Sequence, residues 1–345
     1  MNLKSYQLAL TIVIVISACS SAKLRGNPDT KRFSIALIGD LPYSDAKMIE
    51  AQNLMADLDT HKELAFIIHD GDFKGGNVPC NDQVYADRLA TFNRSAHPLF
   101  FIFGDNEWTD CHREAAGSFD PFERLALLRK QFANFNKPFS LGAKQLPLTR
   151  QGMAFPENIR WFNGNVMFVG LHIPGSNNGL QTGAAYLERA KSEYQSRNAA
   201  NLEFLHQSFE MAIHRNSPGI MIVIQANPWD FTPAQNLTGF EDFIVQLEQR
   251  TRGFGKPVVL VHGDSHYFRI DKPLPSKLPS SVANTDFPYI VPSESTGTRL
   301  ENFTRVETFG NPNSHWVKAT VDVDNPNVFA FEPMIVTKNS RLRHN

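Results

Sequence analysis

Short apolar runs that stop at an acidic or amide residue alternate with stretches of helical periodicity through most of this chain, and that alternation constrains the fold more than any other feature. Phe33 to Gly39 reads as a strand ending at Asp40, with a helix over Ser44 to Asp59 behind it. Leu64 to Ile68 reads as a second strand, ending at His69 to Asp72, followed by a helix over Asn81 to Arg94. Leu99 to Phe103 is a third, stopping at Gly104-Asp105. Strands separated by helices of this length pair in parallel through crossover connections, so an α/β fold is expected.

Farther along, Pro121 to Phe135 reads as helical. Ile159 to Phe162 and Val166 to Leu171 flank Asn163-Gly164-Asn165 as a hairpin. A long helix from about Ala184 to His214 precedes a strand over Gly219 to Ile224. A helix over Phe240 to Arg252 then precedes a strand over Val258 to Val261, which runs into His262-Gly263-Asp264. Val317 to Val323 and Val328 to Phe331 have strand composition and are expected to close the fold as antiparallel strands. Lys272 to Arg299 carries five prolines and is longer than an ordinary connection, readable as a lid or as a surface excursion.

The first residues carry a different message. One cation, Lys4, precedes an uncharged run from Ser5 to Ala18, shorter than the roughly 20 apolar residues of a membrane span and better matched to a secretory signal. Ile16-Ser17-Ala18-Cys19 resembles a bacterial lipobox, which implies cleavage before Cys19 and lipid on its thiol; the alternative is an ordinary secretory signal with Cys19 incidental. Ser20 directly after the cysteine then points to an outer membrane. The expected organisation is a signal over 1–18, a lipidated cysteine and polar tether over 19–32, and a single domain over 33–340. With Cys19 given to lipid, Cys80 and Cys111 remain as a pair in an oxidising compartment, where a disulfide persists; the alternative is two buried thiols. Loss of Lys4 with the signal moves the formal charge from -1 to -2, and no Lys or Arg run stands out, so no dedicated nucleic-acid surface is indicated.

Four strand ends carry Gly-Asp: Gly39-Asp40, Gly71-Asp72, Gly104-Asp105 and Gly263-Asp264, and a fifth ends at Gln225-Ala226-Asn227-Pro228. One such pair is an ordinary turn. Four at strand ends of a parallel sheet would meet where such sheets bind ligands. Two carboxylates about 4 Å apart repel by roughly 4 kcal/mol at an effective dielectric of about 20, so a cluster of four calls for cations or protons.

In order and spacing these motifs resemble those of calcineurin-like metallophosphoesterases, D-x-H, G-D-x-x-D, G-N-H-E, a lone H and G-H-x-H, over residues 34 to about 268. The stretches Gly104 to Arg113 and Val261 to Phe268 resemble a poorly characterised bacterial subgroup more closely. The resemblance implies a four-layer αββα sandwich of two mixed sheets flanked by helices, with a two-metal centre that hydrolyses phosphoesters. Position by position, Asp40 matches the first aspartate, Asp72 the bridging one, and His266 the last histidine. Asp105, Gln225 and Asp264 stand at other ligand positions, Pro42 where a histidine ligand belongs unless Tyr43 or water replaces it, and Asn106 where a histidine protonates the leaving group.

Oxygen donors in place of imidazoles shift preference from zinc toward Mg2+, Mn2+ or Ca2+. The expected set is one ion near Asp40, Asp72 and His266 and another near Asp72, Asp105, Gln225 and Asp264. Asparagine cannot deliver a proton, so His69, His112 or His262 is needed as the acid, His262 being the best placed in sequence. Lys74 and Arg113 are candidate anchors for a substrate phosphate. Two other readings stay open. Gly263-Asp264-Ser265 after a strand also suits a GDSL-type esterase with Ser265 as nucleophile. The loss of four family histidines suits a lipoprotein that binds metal or an envelope phosphate without turnover.

Overall fold

The computed structural model describes residues 30–229, 238–275 and 298–340. The expected signal, Cys19, all but the last three residues of the tether, and most of the proline-rich segment lie outside the described residues.

The chain forms an α/β sandwich of two mixed sheets. In the first sheet β1 (Arg32–Ile38), β2 (Leu64–His69) and β3 (Leu99–Phe101) run parallel. β11 (Trp316–Asp322) pairs antiparallel with β1, and β12 (Phe329–Met334) antiparallel with β11, so the last strands close the fold as expected. In the second sheet β6 (Val166–Gly170), β7 (Ile220–Val223), β8 (Val258–His262) and β10 (Phe303–Glu307) are parallel neighbours. Its antiparallel edges are β4 (Thr149–Arg150) with β5 (Ile159–Asn163) on one side and β9 (Arg269–Asp271) on the other.

Alternation along each strand sorts side chains into layers. Ile35, Leu37, Phe66 and Ile68 of the first sheet meet Phe168, Met221, Val223 and Val261 of the second. Trp161 stacks on Phe100 across the same interface, centroids 3.7 Å apart. The opposite face of the first sheet packs on α1 (Met48–Thr60), α2 (Asp82–Arg94) and α3 (Pro121–Phe132) through Leu54, Tyr85 and Leu128. That of the second packs on α4 (Leu187–His214) and α5 (Glu241–Phe254) through Phe204, Phe209 and Leu247. Local chemistry starts these helices where it should: Asn81 accepts the Val84 N–H, and Asp120 caps a helix that opens on Pro121.

Sequence reading missed β10. Its outward positions are occupied by Arg305 and Glu307, both buried, which Asp271 and Arg269 neutralise from β9. A strand whose charges are paired by its neighbour does not read as apolar. The helix expected from Ser44 begins only at Met48, after a 3-10 turn over Asp45–Lys47.

One buried ionic cluster joins the helix layer to the second sheet. Glu157, just before β5, accepts from Arg129 Nε of α3 at 3.0 Å and shares a 3.1 Å bond with His172 Nδ1. Burial opposes its charge, but His172 and Arg129 outweigh that and hold the carboxyl at about 2. Glu157→Ala leaves the buried His172 Nδ1 without its partner and Arg129 with only Glu193 at 3.9 Å, and is expected to lower stability by ~3–5 kcal/mol at neutral pH. A free glutamate titrates near ~4.3, so the unfolded chain takes up the proton first as the solution is acidified. The Glu157 contribution is therefore complete above that value and fades as pH drops toward about 2. Urea unfolding should show the gap between parent and variant narrowing below about pH 4; a gap that does not change would contradict the assignment.

Candidate active site

The parallel strands of both sheets deliver their carboxyl ends to one place. Asp40 follows β1, Asp72 follows β2, Asp105 follows β3, Gln225 follows β7, and Asp264 and His266 follow β8. Asp40, Asp72, Asp264 and His266 adopt left-handed backbone, with φ of 54°, 58°, 75° and 60°. For non-glycine residues this conformation costs about 1–3 kcal/mol each, and such residues gather at functional sites.

The glycines explain how the loops come so close. A Cβ on Gly39 would stand 1.5 Å from Asp70 Oδ1, one on Gly104 2.0 Å from Asp72 Oδ1, and one on Gly263 1.9 Å from Asp40 Oδ2. On Gly71 it would meet Gln225 Cγ at 2.5 Å. Each Gly-Asp motif thus makes room for a carboxylate or amide from another motif, an interlock that any larger residue breaks.

Asp72 is the hub. It accepts from Tyr43 Oη at 2.8 Å, Asn106 Nδ2 at 2.6 Å, the Asn106 N–H at 3.1 Å and Gln225 Nε2 at 3.3 Å. Gln225 Nε2 also reaches Asp105 Oδ1 at 3.4 Å and Asp264 Oδ1 at 3.2 Å. Tyr43 Oη contacts Asp40 Oδ1 at 2.9 Å and His266 Nε2 at 3.0 Å, and the Asp264 N–H donates to Asp40. Asp40, Asp72, Asp105, Asp264, Asn106, Gln225 and His266, all expected from sequence, are thereby linked through shared partners.

Charge at this end of the sandwich is strongly unbalanced. Asp70, Glu107 and Asp110 are buried beside the four aspartates, while among the described residues Lys74, Arg113 and His266 face them as cations. Burial first, then Asp105 and Glu107, drive the Asp72 carboxyl well above its ordinary range. Burial is also the main cause that pushes Glu107 and Asp110 up to about 7. Asp70 Oδ1 is buried with no hydrogen-bond partner. Burial opposes protonation of His266, but Asp40 prevails and raises it.

Other expected residues are placed differently. Lys74 is fully buried and donates to the Gly75 carbonyl, so it serves as an internal counter-charge rather than a rim anchor. Arg113 stays 46% exposed and pairs with Asp110 at 2.7 Å, so its guanidinium stands at the rim. His262 is fully buried on the helix side of β8 beside Leu260, its Nδ1 bonded to the Gly263 carbonyl, and no hydrogen bond among the described residues ties it to the carboxylates. Ser265 Oγ accepts from Asn227 Nδ2, and among the described residues no histidine bonds it.

Gln225 presents nitrogen rather than oxygen to the cluster. Its Oε1 accepts the Gly175 N–H at 2.5 Å, which fixes the amide orientation. Gly175 opens a turn, Gly175–Asn178, in which Ser176, Asn177 and Asn178 are left-handed, and Ser176 Oγ donates to Asp105 Oδ2 at 2.7 Å. Sequence reading passed over Ser176; the Pro-Gly-Ser-Asn-Asn-Gly run was the available signal. The Cys80–Cys111 disulfide, Cα–Cα 5.7 Å, ties the loop after Asp72 to the loop after Asp105 and contributes ~3–4 kcal/mol by loop closure.

The donors suit hard cations: carboxylate oxygens, one phenol and one imidazole around Asp72. Among the described residues no three His, Cys, Asp or Glu side chains make a metal cluster by themselves; Tyr43 and Gln225 supply hydrogen bonds that link them.

No family model matches the sequence, and no curated protein matches it. A solved structure described as "GAP50 the anchor in the inner membrane complex of Plasmodium" aligns with a TM-score of 0.45 at 9% identity, covering 88% of this chain and 89% of that one.

Proposed function

We propose that this chain is a phosphoester hydrolase of calcineurin-like type, dependent on divalent cations and working in the cell envelope. The observation that carries the reading is the meeting of buried Asp40, Asp72 and Asp105 with partly buried Asp264 around shared hydrogen-bond partners, short of positive charge. Asp40, Asp72 and His266 would hold one cation, and Asp72, Asp105 and Asp264 a second. Bound cations of this kind supply charge to phosphoryl oxygens and acidify water.

The chain's own residues then define what it can process. Asn106 Nδ2 can donate to a phosphoryl oxygen but brings no transferable proton. Arg113 at the rim offers a forked guanidinium to a phosphate. With His262 turned into the helix layer, phosphomonoesters and diesters whose leaving group departs without protonation are the expected substrates. Export and a lipid on Cys19 belong to the same reading, which the Cys80–Cys111 disulfide supports as a bond suited to an oxidising compartment.

A second reading, binding without turnover, is favoured by one observation: Gln225 fills part of the second position with an N–H donor. Assay of aryl phosphomonoesters and diesters with Mn2+ separates the two. Turnover that chelator abolishes is the expected result; none across the panel would leave only binding. Cation saturation should also raise the melting temperature, since about 100-fold excess over Kd adds ~2.7 kcal/mol per site, whereas an unchanged melt would remove the cation from both readings.

A further inference from the structure

Tyr43 lies one residue past the position where the motif pattern has a histidine ligand. Tyr43 Oη, Asp40 Oδ1 and His266 Nε2 form a near-equilateral triangle with sides of 2.9, 3.0 and 3.2 Å. A hydroxyl at the centre of its partners would leave them farther from one another than from itself. Here the partners are as close to each other as to the hydroxyl, so Tyr43 shares a face with them instead of filling the space between them. Spacings near 3 Å are those of adjacent ligands on an ion with bonds of about 2.1 Å. Asp72 Oδ2 lies 2.8 Å from the same hydroxyl and adds a further corner.

Other polar groups converge on the same oxygen. The buried carboxylates of Asp40 and Asp72 both stand within bonding distance of it, and Asn106 Nδ2 points a donor at it from 3.1 Å. A cation on the inner side of the face would satisfy both carboxylates and the phenol oxygen together.

We propose that Tyr43 is a direct ligand of the first cation, binding through its phenolate oxygen at the place left by Pro42. This rests on the metal-dependent reading above. On binding, the phenol O–H bond breaks, the proton passes to solvent, and an oxygen–cation bond forms. The Tyr43 ring is held edge-on to His266, centroids 4.8 Å apart, so its oxygen needs no rearrangement to serve.

The test is a Mn2+ titration of chelator-stripped full-length protein, followed by calorimetry and by the near-ultraviolet absorption of tyrosinate at neutral pH. Saturation is expected to develop one tyrosinate per chain. Tyr43→Phe should lack that band and bind at one class of site at least ~10-fold more weakly, with the other class unchanged. Tyr267→Phe, altering an exposed ring, should keep the band. Two Mn2+ ions bound with no tyrosinate, and Tyr43→Phe equal to the parent, would overturn the ligand assignment and leave the cation reading standing. No Mn2+ bound by the parent would overturn both. The band in the unaltered protein decides even where the phenylalanine variant is unstable.

Discussion

Asp72→Ala is expected to abolish Mn2+-dependent phosphoester hydrolysis, with a fall in kcat/KM of ~10^3-fold or more. Asp72 is the carboxylate that touches both proposed cation positions, through Tyr43 on one side and Gln225 on the other. Losing cation stabilisation of the transition state removes several kcal/mol, and each ~1.4 kcal/mol is a decade in rate. Calorimetry on the same variant should show loss of both classes of Mn2+ site. Arg113→Ala supplies the contrast: from the rim it should raise KM with little change in kcat. An Asp72→Ala protein that binds and hydrolyses like the parent would remove Asp72 from the chemistry.

Gly263→Ala is the second large effect, and it tests the interlock rather than the charges. The added methyl would lie 1.9 Å from Asp40 Oδ2, far inside contact distance, so either Asp40 swings away or the β8 loop shifts. Activity should drop by ~10^2-fold or more, in keeping with the sensitivity of catalysis to displacements of about 1 Å. Overpacking should lower stability by ~1–3 kcal/mol. Gly253 near the end of α5 is the control, because a Cβ there meets nothing within 4 Å and its φ is not positive. Gly253→Ala should stabilise by up to ~1 kcal/mol through helix propensity and leave activity alone. Equal behaviour of the two alanine variants would show that the glycine at 263 is not required for space.

These contrasts mark what the sequence made legible. The parallel α/β framework was readable because β1, β2, β3 and β8 are apolar runs cut off by Gly-Asp, and because Pro121, Asn81 and Asn163-Gly164-Asn165 carry local helix and turn chemistry, whereas the pairing of two sheets was implied only by the family resemblance. The aspartates were readable for a related reason: glycine frees space, and aspartate tolerates the left-handed backbone that turns a strand end toward the sheet edge. Features that depend on distant partners were not legible. The direction of the Gln225 amide is decided by the Gly175 N–H, 50 residues away. Strand β10 was hidden because the charges of Arg305 and Glu307 are neutralised only once β9 lies beside it. The position of His262 could not be read from its distance to Asp264 in sequence, since two residues along a strand return to the same face only while the strand continues, and β8 ends at His262. Tyr43 was visible only as a replacement for a missing histidine; its triangle with Asp40 and His266 joins two loops, Tyr43 and His266 being 223 residues apart in the chain.

Anomalous scattering from crystals of the full chain grown or soaked with Mn2+ tests the central claim most directly. Two peaks on either side of Asp72 are expected, one enclosed by Tyr43, Asp40 and His266 and the other by Asp105 and Asp264. Well-ordered carboxylates with no anomalous density between them at saturating Mn2+ would contradict it.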